Sequence, residues 1–458
     1  MRLMSAKRYV IVGTGSRGYH SYLRNLVSDF QGQAEVVGLY DLNIERARAV
    51  NRLAGTQVPV FASYDEMIAQ ARPHALIVTS TDATHAEYVV KGLQAGLDVF
   101  SEKPLCTTFE QVKAIRTAAA APGAGCGRVT HNMRFLPNSR RMKQAVLEGA
   151  IGTILQVRFV ETLDRFHGAD YFRRWHRRMV NSGGLALQKA SHHFDFVNWL
   201  VGARPALLSA RGSLMYYGKK GPFRGPRCSA CKHAAECPRY ADVFANAGQK
   251  ALYQDVETVD GYIRDACVFG EEIDIPDTIH AIITYENGVH FSYALNAYAE
   301  FEGVHIAVEG TLGCLELVTR HDTSWAVGHK QHASKDSLAA DGIGPDTRNV
   351  LMLYPAPETG KPRQDITPAA ETGGHGGADP MLRRMLFGRD SIPDPLGMKA
   401  SLEEGIQAVL IGIAVNESIR QGGRCLDIQT MTPALPPPEP PAAATLDGQA
   451  DPGPLSIA

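Results

Sequence analysis

The sequence predicts an α/β fold. A doubly wound parallel sheet forms the N-terminal part, followed by a larger α/β domain around an open, mostly antiparallel sheet. Three observations lead there. A glycine triplet, Gly13-Thr14-Gly15-Ser16-Arg17-Gly18, directly follows an apolar strand and opens a helix. Strand and helix signals alternate over residues 8–125, which implies right-handed crossovers between parallel strands. Further on, long strands follow one another with no helix between them.

In the first region the strand signals fall at 8–12, 35–40, 75–79 and 98–101, and helical patterns at 18–28, 44–53, 64–70, 85–94 and 108–121. A strand, a helix over 137–148 and a strand over 153–160 follow. The later strands are predicted at 278–285, 289–298 and 304–309, with Glu286-Asn287-Gly288 as a hairpin turn. Residues 322–380 read as irregular, an amphipathic helix is expected over 401–421, and the Pro-rich tail from 433 as extended. The expected domains are residues 1–130, residues 131–432 with a Cys-rich insertion at about 215–270, and the tail 433–458.

Composition excludes several classes. Charged residues are 21% and the formal net charge is -1, so no global field favours nucleic acid or an anionic membrane. There is no apolar run of roughly 18 residues, the length a membrane-spanning helix needs. The first residues lead straight into a strand, leaving no room for a signal peptide, so a cytoplasmic location is expected. Eight cysteines in 458 residues do not make a disulfide scaffold.

The glycines at 13, 15 and 18 have separate uses: a tight turn, backbone approach to a pyrophosphate, and close helix packing. Ser16 and Arg17 would offer helix-terminal N–H groups to the phosphates. Asp41, ending the second strand, would accept from ribose hydroxyls and favours NAD over NADP, while Arg46 and Arg48 read as solvated helix charges, with a 2′-phosphate contact by one of them as the lesser alternative. Thr79-Ser80-Thr81 and Glu102-Lys103-Pro104 end the third and fourth strands at the same sheet edge, and His85, Asn132 and Arg134 join the cofactor-side candidates. The Lys103-Pro104 bond is a candidate for cis.

A second constellation follows the glycine pair Gly183-Gly184. One helical turn apart, Gln188 shares a face with His192 and Lys189 with His193. Lys103, Lys189, His192 and His193 are the candidate acid/base groups for oxidising a carbinol, the two lysines lowering each other's pKa. One histidine of the pair is expected to be buried and hydrogen-bonded, and Asp195 to orient. Upstream, Tyr171, Arg173, Arg174, Trp175, His176 and Arg177 suit an anion and a sugar face, with Gln188 as a further substrate contact. Cys228, Cys231, Cys237 and Cys267 have the spacing of a structural zinc site, with His233 as a substitute ligand and an iron–sulfur cluster as the lesser alternative.

These motifs together resemble the Gfo/Idh/MocA family of NAD(P)-dependent sugar oxidoreductases. The resemblance covers about residues 1–425 and includes Asn132-Met133-Arg134-Phe135, Gly183-Gly184, His192, Asp195 and Asn416-Glu417-Ser418. It implies a Rossmann domain, an open sheet that serves an oligomer interface, and Lys103 beside the nicotinamide. One position departs: where the family's helix carries an Asp four residues before the His, this chain has Gln188. The expected activity is NAD-dependent hydride transfer at a ring carbinol of a sugar or glycoside, anionic ones included, by a homodimer or homotetramer. The alternative is an NAD-dependent glycosidase, for example on sulfoquinovosides, that oxidises C3, eliminates the aglycone, adds water and returns the hydride. A non-catalytic NAD-binding regulator is the third class.

Overall fold

The first sheet is built from β1 (Lys7–Val12), β2 (Ala34–Tyr40), β3 (Ala75–Val78), β4 (Asp98–Ser101) and β5 (Gly127–Val129) in the order β2-β1-β3-β4-β5. All four pairings are parallel. Tyr9 to Val12 are all buried, as a strand covered on both faces must be. The register pairs Val12 with Tyr40 and Val78, Val78 with Ser101, and Ser101 with Val129. The strands therefore end level, and Gly13, Asp41, Thr79, Glu102 and Thr130 share one edge. The computed structural model describes residues 6–321, 348–388 and 392–431.

Local chemistry accounts for the helices between them. Asn43, Ser63 and Thr108 each accept a backbone N–H as N-cap, Thr108 with Gln111 as a full capping box. The helix after the glycine loop opens with a π-turn, Gly18–Leu23, before the α-helix Arg24–Asp29.

The second sheet contains β6 (Ile154–Asp164), β7 (Pro205–Ser213), β8 (Thr278–Tyr285), β9 (His290–Ala299), β10 (Gly303–Gly310), β11 (Gly313–Arg320), β12 (Arg348–Pro355), β13 (Gln364–Asp365) and β14 (Leu426–Asp427). Its order is β13-β12-β11-β10-β6-β9-β8-β7-β14. Only β6 and β9 are parallel among these pairings. The expected β8–β9 hairpin is present, with Gly288 at φ +83° donating its N–H to Tyr285 O.

One face of this sheet is covered by the helices Ser191–Val201 and Leu402–Arg420, while Val160, Leu207 and Ile282 stay exposed. The helix Leu402–Arg420 is not amphipathic as expected: thirteen of its 19 residues are buried, because it threads between β7 and the helices facing it. The stretch read as irregular also holds β12, β13 and the helix Ala378–Phe387. The tail 433–458 and residues 322–347 lie outside the described residues.

Candidate active site

The glycine loop has the expected form. Gly13 adopts φ +85°, and a Cβ there would meet Ser80 backbone at 2.5 Å. A Cβ at Gly18 would lie 2.3 Å from Gly13 O, so only glycine lets the helix approach. Thr79 Oγ1 donates to Gly13 O at 2.5 Å, fixing the loop to the end of β3. Asp41 Oδ2 accepts from Thr14 N (2.7 Å), and its Oδ1 from Asn43 N (2.8 Å) and Arg46 (3.2 Å). Arg46 is thus not a solvated charge: it is buried and also donates to Leu252 O and Asp260. Arg48, as expected, is a surface residue paired with Glu45.

The next two strand ends hold Lys103 in place. The Lys103-Pro104 bond is cis. His85 is buried, its ring nitrogens at 2.7 Å from Pro104 O and 3.1 Å from Ser80 O, so it ties these two ends together and does not face the cleft as a free donor. Glu102 is buried and accepts from Arg17 Nε (2.8 Å) and Tyr22 Oη (2.5 Å); burial pushes its pKa up, but Arg17 and Tyr22 outweigh this and hold it low. Lys103 Nζ donates to Gln188 O at 2.5 Å. Burial brings Lys103 down to about 8, opposed by Asp82 and Glu102 and assisted by Lys189. Asp82 is itself buried, has an Oδ2 without a hydrogen-bond partner, and is pushed well up by burial.

Lys189 behaves differently. Its Nζ lies 3.0 Å from Glu161 Oε1. Burial would lower it, but Glu161 reverses the sign and its pKa is raised, contrary to the mutual lowering expected of the two lysines. Glu161 also lies 3.6 Å from His193 Nε2. The other His193 nitrogen meets Tyr293 Oη at 2.8 Å, and the ring stacks on Phe159. His193 is thus the buried partner of the pair, depressed to about 3 mainly by burial.

His192 is half-buried, with Nδ1 unpartnered, and packs edge-on against His131 at 5.6 Å. Burial first, then Lys103, His131, His193 and Lys189, lowers it well below the usual histidine value. Asp195 orients: it accepts twice from Arg134, at 2.8 and 2.6 Å. Arg134, only 1% exposed, also binds Gly397 O and Glu404, so it is a core residue and not a cofactor contact. Asn132 binds Asp379.

The arginine segment is largely neutralised by carboxylates. Arg173 and Arg174 pair with Asp170, Arg177 with Glu272, and Arg178 with Asp274. Arg173 and Arg177 are buried among those partners. Trp175 stacks on His176 at 3.7 Å, and Tyr171 Oη meets His167 Nε2 at 3.3 Å. His176 is depressed by burial, then by Arg174 and Lys103; Tyr171 is raised by burial against Lys189.

Cys228, Cys231, Cys237 and Cys267 line one pocket of about 20 Å³ and are free thiols. The structural zinc read from their spacing is not supported: among the described residues no group of three or more His, Cys, Asp or Glu is arranged to hold a metal ion. His233 is turned to Glu236 and stacks on Phe223.

Glu161, Tyr293, Asp82 and His131 were not singled out from the sequence. Glu161 carried a signal, since the period-two pattern of β6 puts it on the inward face with Val157, Phe159 and Leu163. A charge at such a position needs a partner.

Residues 7–127 match the model of an oxidoreductase family with an NAD-binding Rossmann fold, and residues 143–426 that family's C-terminal alpha/beta domain. The Bacillus subtilis (strain 168) protein YteT is 31% identical over 433 residues, spanning 91% of this chain and 96% of its own length. Inositol 2-dehydrogenase 3 of Saccharopolyspora erythraea is 32% identical over 194 residues, 42% of this chain and 53% of its own. Among solved structures, levoglucosan dehydrogenase has a TM-score of 0.64 at 19% identity, covering 93% of this chain and 99% of its own. The WlbA dehydrogenase of Bordetella pertussis, solved with NADH and UDP-GlcNAcA, has a TM-score of 0.58 at 18% identity, covering 92% and 98%. At such low identity these structures speak for the fold alone. The level strand ends, the glycine loop and both family models agree: this chain belongs to the Gfo/Idh/MocA family of oxidoreductases.

Proposed function

We propose that the protein is an NAD-dependent oxidoreductase acting on a ring carbinol of a sugar or glycoside. The observation that carries this reading is Lys103: a buried amine brought down to about 8, at the strand edge that also bears the glycine loop. Inositol 2-dehydrogenase, similar to this chain in sequence, supports a cyclic polyol or related ring carbinol as substrate.

The cradle at Gly13, Gly15 and Gly18, with Asp41 and Thr79 to Thr81 beside it, would hold the dinucleotide, and the nicotinamide supplies the hydride acceptor. Neutral Lys103 takes the hydroxyl proton as the C–H hydride leaves, giving a ketone and a lysine ammonium. Lys189, kept protonated by Glu161, donates to a substrate hydroxyl and stabilises negative charge on oxygen. His192, half-buried beside His131, is a further acid/base group for a neighbouring hydroxyl. Tyr171 and Trp175 with His176 offer ring faces to the sugar. With each arginine already facing a carboxylate, an anionic substrate is not part of this reading. A homo-oligomer through the exposed outer face of the second sheet, at Val160 and Ile282, remains part of it.

A second reading is a redox-neutral glycosidase. It is favoured by the number of acid/base groups near Lys103: Asp82, His131 and His192 exceed what one hydride transfer requires. One assay separates the two. The protein is mixed with trace NAD, cyclic polyols and aryl glycosides, while NADH absorbance and aglycone release are followed together. NADH matching product supports the dehydrogenase. Many aglycones per NAD without net NADH supports the glycosidase, and neither signal on any substrate overturns both.

A further inference from the structure

The insertion between β7 and β8 reaches back to the glycine loop. It carries the short helical turns Ala247–Gln249, Lys250–Gln254 and Glu257–Asp260, and Lys250–Gln254 packs against the helix Ile44–Ala54 of the first domain. Tyr253 Oη accepts from Ser16 N at 2.7 Å. A Cβ at Gly15 would stand 3.1 Å from the same oxygen, so the phenol lies directly over the loop.

The strap is firmly attached. Leu252 is buried in the core cluster that contains Tyr19, Leu26 and Ala47. Asn43 Nδ2 donates to Val256 O (2.9 Å), and Arg46 to Leu252 O (3.1 Å) and to Asp260 (2.7 Å). Gln249 reaches Ser16 Oγ at 3.4 Å. The Tyr253 ring is held by the Arg264 guanidinium, 4.0 Å from its centroid.

We propose that Tyr253 is a dinucleotide-retaining residue and that the strap Ala247–Asp260 closes the cofactor site from the second domain. Ser16 N–H is a donor that the glycine fingerprint directs at a phosphate. Here it is relayed: the phenol accepts from Ser16 and keeps its own O–H to donate to a phosphate oxygen. Asn43 and Arg46 of the first domain, with Leu252, Gln249 and Arg264 of the insertion, anchor this relay, and in this reading release of the nucleotide needs the strap to lift off Asn43 and Arg46. This inference rests on the NAD reading and deepens it: the strap slows release of the dinucleotide that the glycine loop holds.

The test uses the full chain. Bound NAD(H) is quantified after gel filtration and denaturation, and NADH dissociation is followed by fluorescence after displacement with excess NAD. The wild type is expected to retain nucleotide. Tyr253→Phe should release NADH about tenfold faster, the effect of one charge-assisted hydrogen bond, with only a slightly lower melting temperature in the nucleotide-free state, from the lost Ser16 bond. Tyr253→Ala should release it faster still. Equal release rates, or tighter binding by Tyr253→Phe because the phenol competes with phosphate, would overturn the retaining role while leaving NAD binding intact. A folded wild type that binds no dinucleotide at all would overturn the NAD reading itself, and the inference with it.

Discussion

Lys103, just past the end of β4, and Lys189, in the turn between the helices Leu185–Gln188 and Ser191–Val201, are close enough to act on each other, and their surroundings give them opposite roles. At the first sheet's edge, the carboxylates near Lys103 are engaged elsewhere: Glu102 by Arg17 and Tyr22, and Asp82 by its own burial, which favours its neutral form. Desolvation therefore dominates and Lys103 falls to about 8. On the second sheet, Glu161 is aimed at Lys189 from 3.0 Å, and the same desolvation is outweighed. A buried lysine becomes a proton acceptor or a fixed cation according to whether a carboxylate is free to face it.

The comparison breaks most sharply at Lys103. Lys103→Ala should cut turnover by about 10²–10⁴-fold, with NADH binding nearly unchanged by fluorescence titration; undiminished turnover would remove Lys103 from the chemistry. Next is Arg134, read here as core and not as a cofactor contact. Arg134→Met leaves Asp195 buried and unpaired, so chemical denaturation should show a loss of roughly 3–5 kcal/mol, with nucleotide affinity preserved in whatever remains folded.

Glu161→Gln sharpens the comparison. It should cost roughly 3 kcal/mol and turn Lys189 into a second lowered lysine, adding a titration to the pH–rate profile; an unaltered profile would mean that Glu161 does not set Lys189. The smallest effect separates the two histidines. His193→Asn orphans Tyr293 and should cost about 1–3 kcal/mol of stability, whereas His192→Asn should leave the melting temperature alone and lower kcat.

Much of this was legible in the sequence. Alternation of strand and helix, with Gly13, Gly15 and Gly18 after β1, was enough for the first sheet, its edge and the position of Lys103. The pair His192-His193 was readable, but not which one is buried, because that depends on Tyr293 and Glu161 arriving from strands far along the chain. Arg46 and Arg134 were misread for a related reason: their partners, Asp260 and Asp195, lie 214 and 61 residues away. The arginine segment was visible as charge, and Asp170 beside it pairs two of the arginines, but Glu272 and Asp274, which pair the other two, lie about 95 residues on, just before β8. The cysteine spacing suggested a metal, but spacing alone does not make ligand geometry. Tyr253 carried no local signal at all.

The most direct test of the lysine contrast is the pH dependence of kcat/KM for NADH formation on a cyclic polyol, measured for the wild type beside Lys103→Ala. Oxidation needs the neutral amine, and lowering its pKa to about 8 raises the neutral fraction as pH rises through that value. The account predicts a rate that climbs with pH and levels off above about 8 in the wild type, and a residual rate without that step in the variant. The same step at the same pH in Lys103→Ala would contradict it.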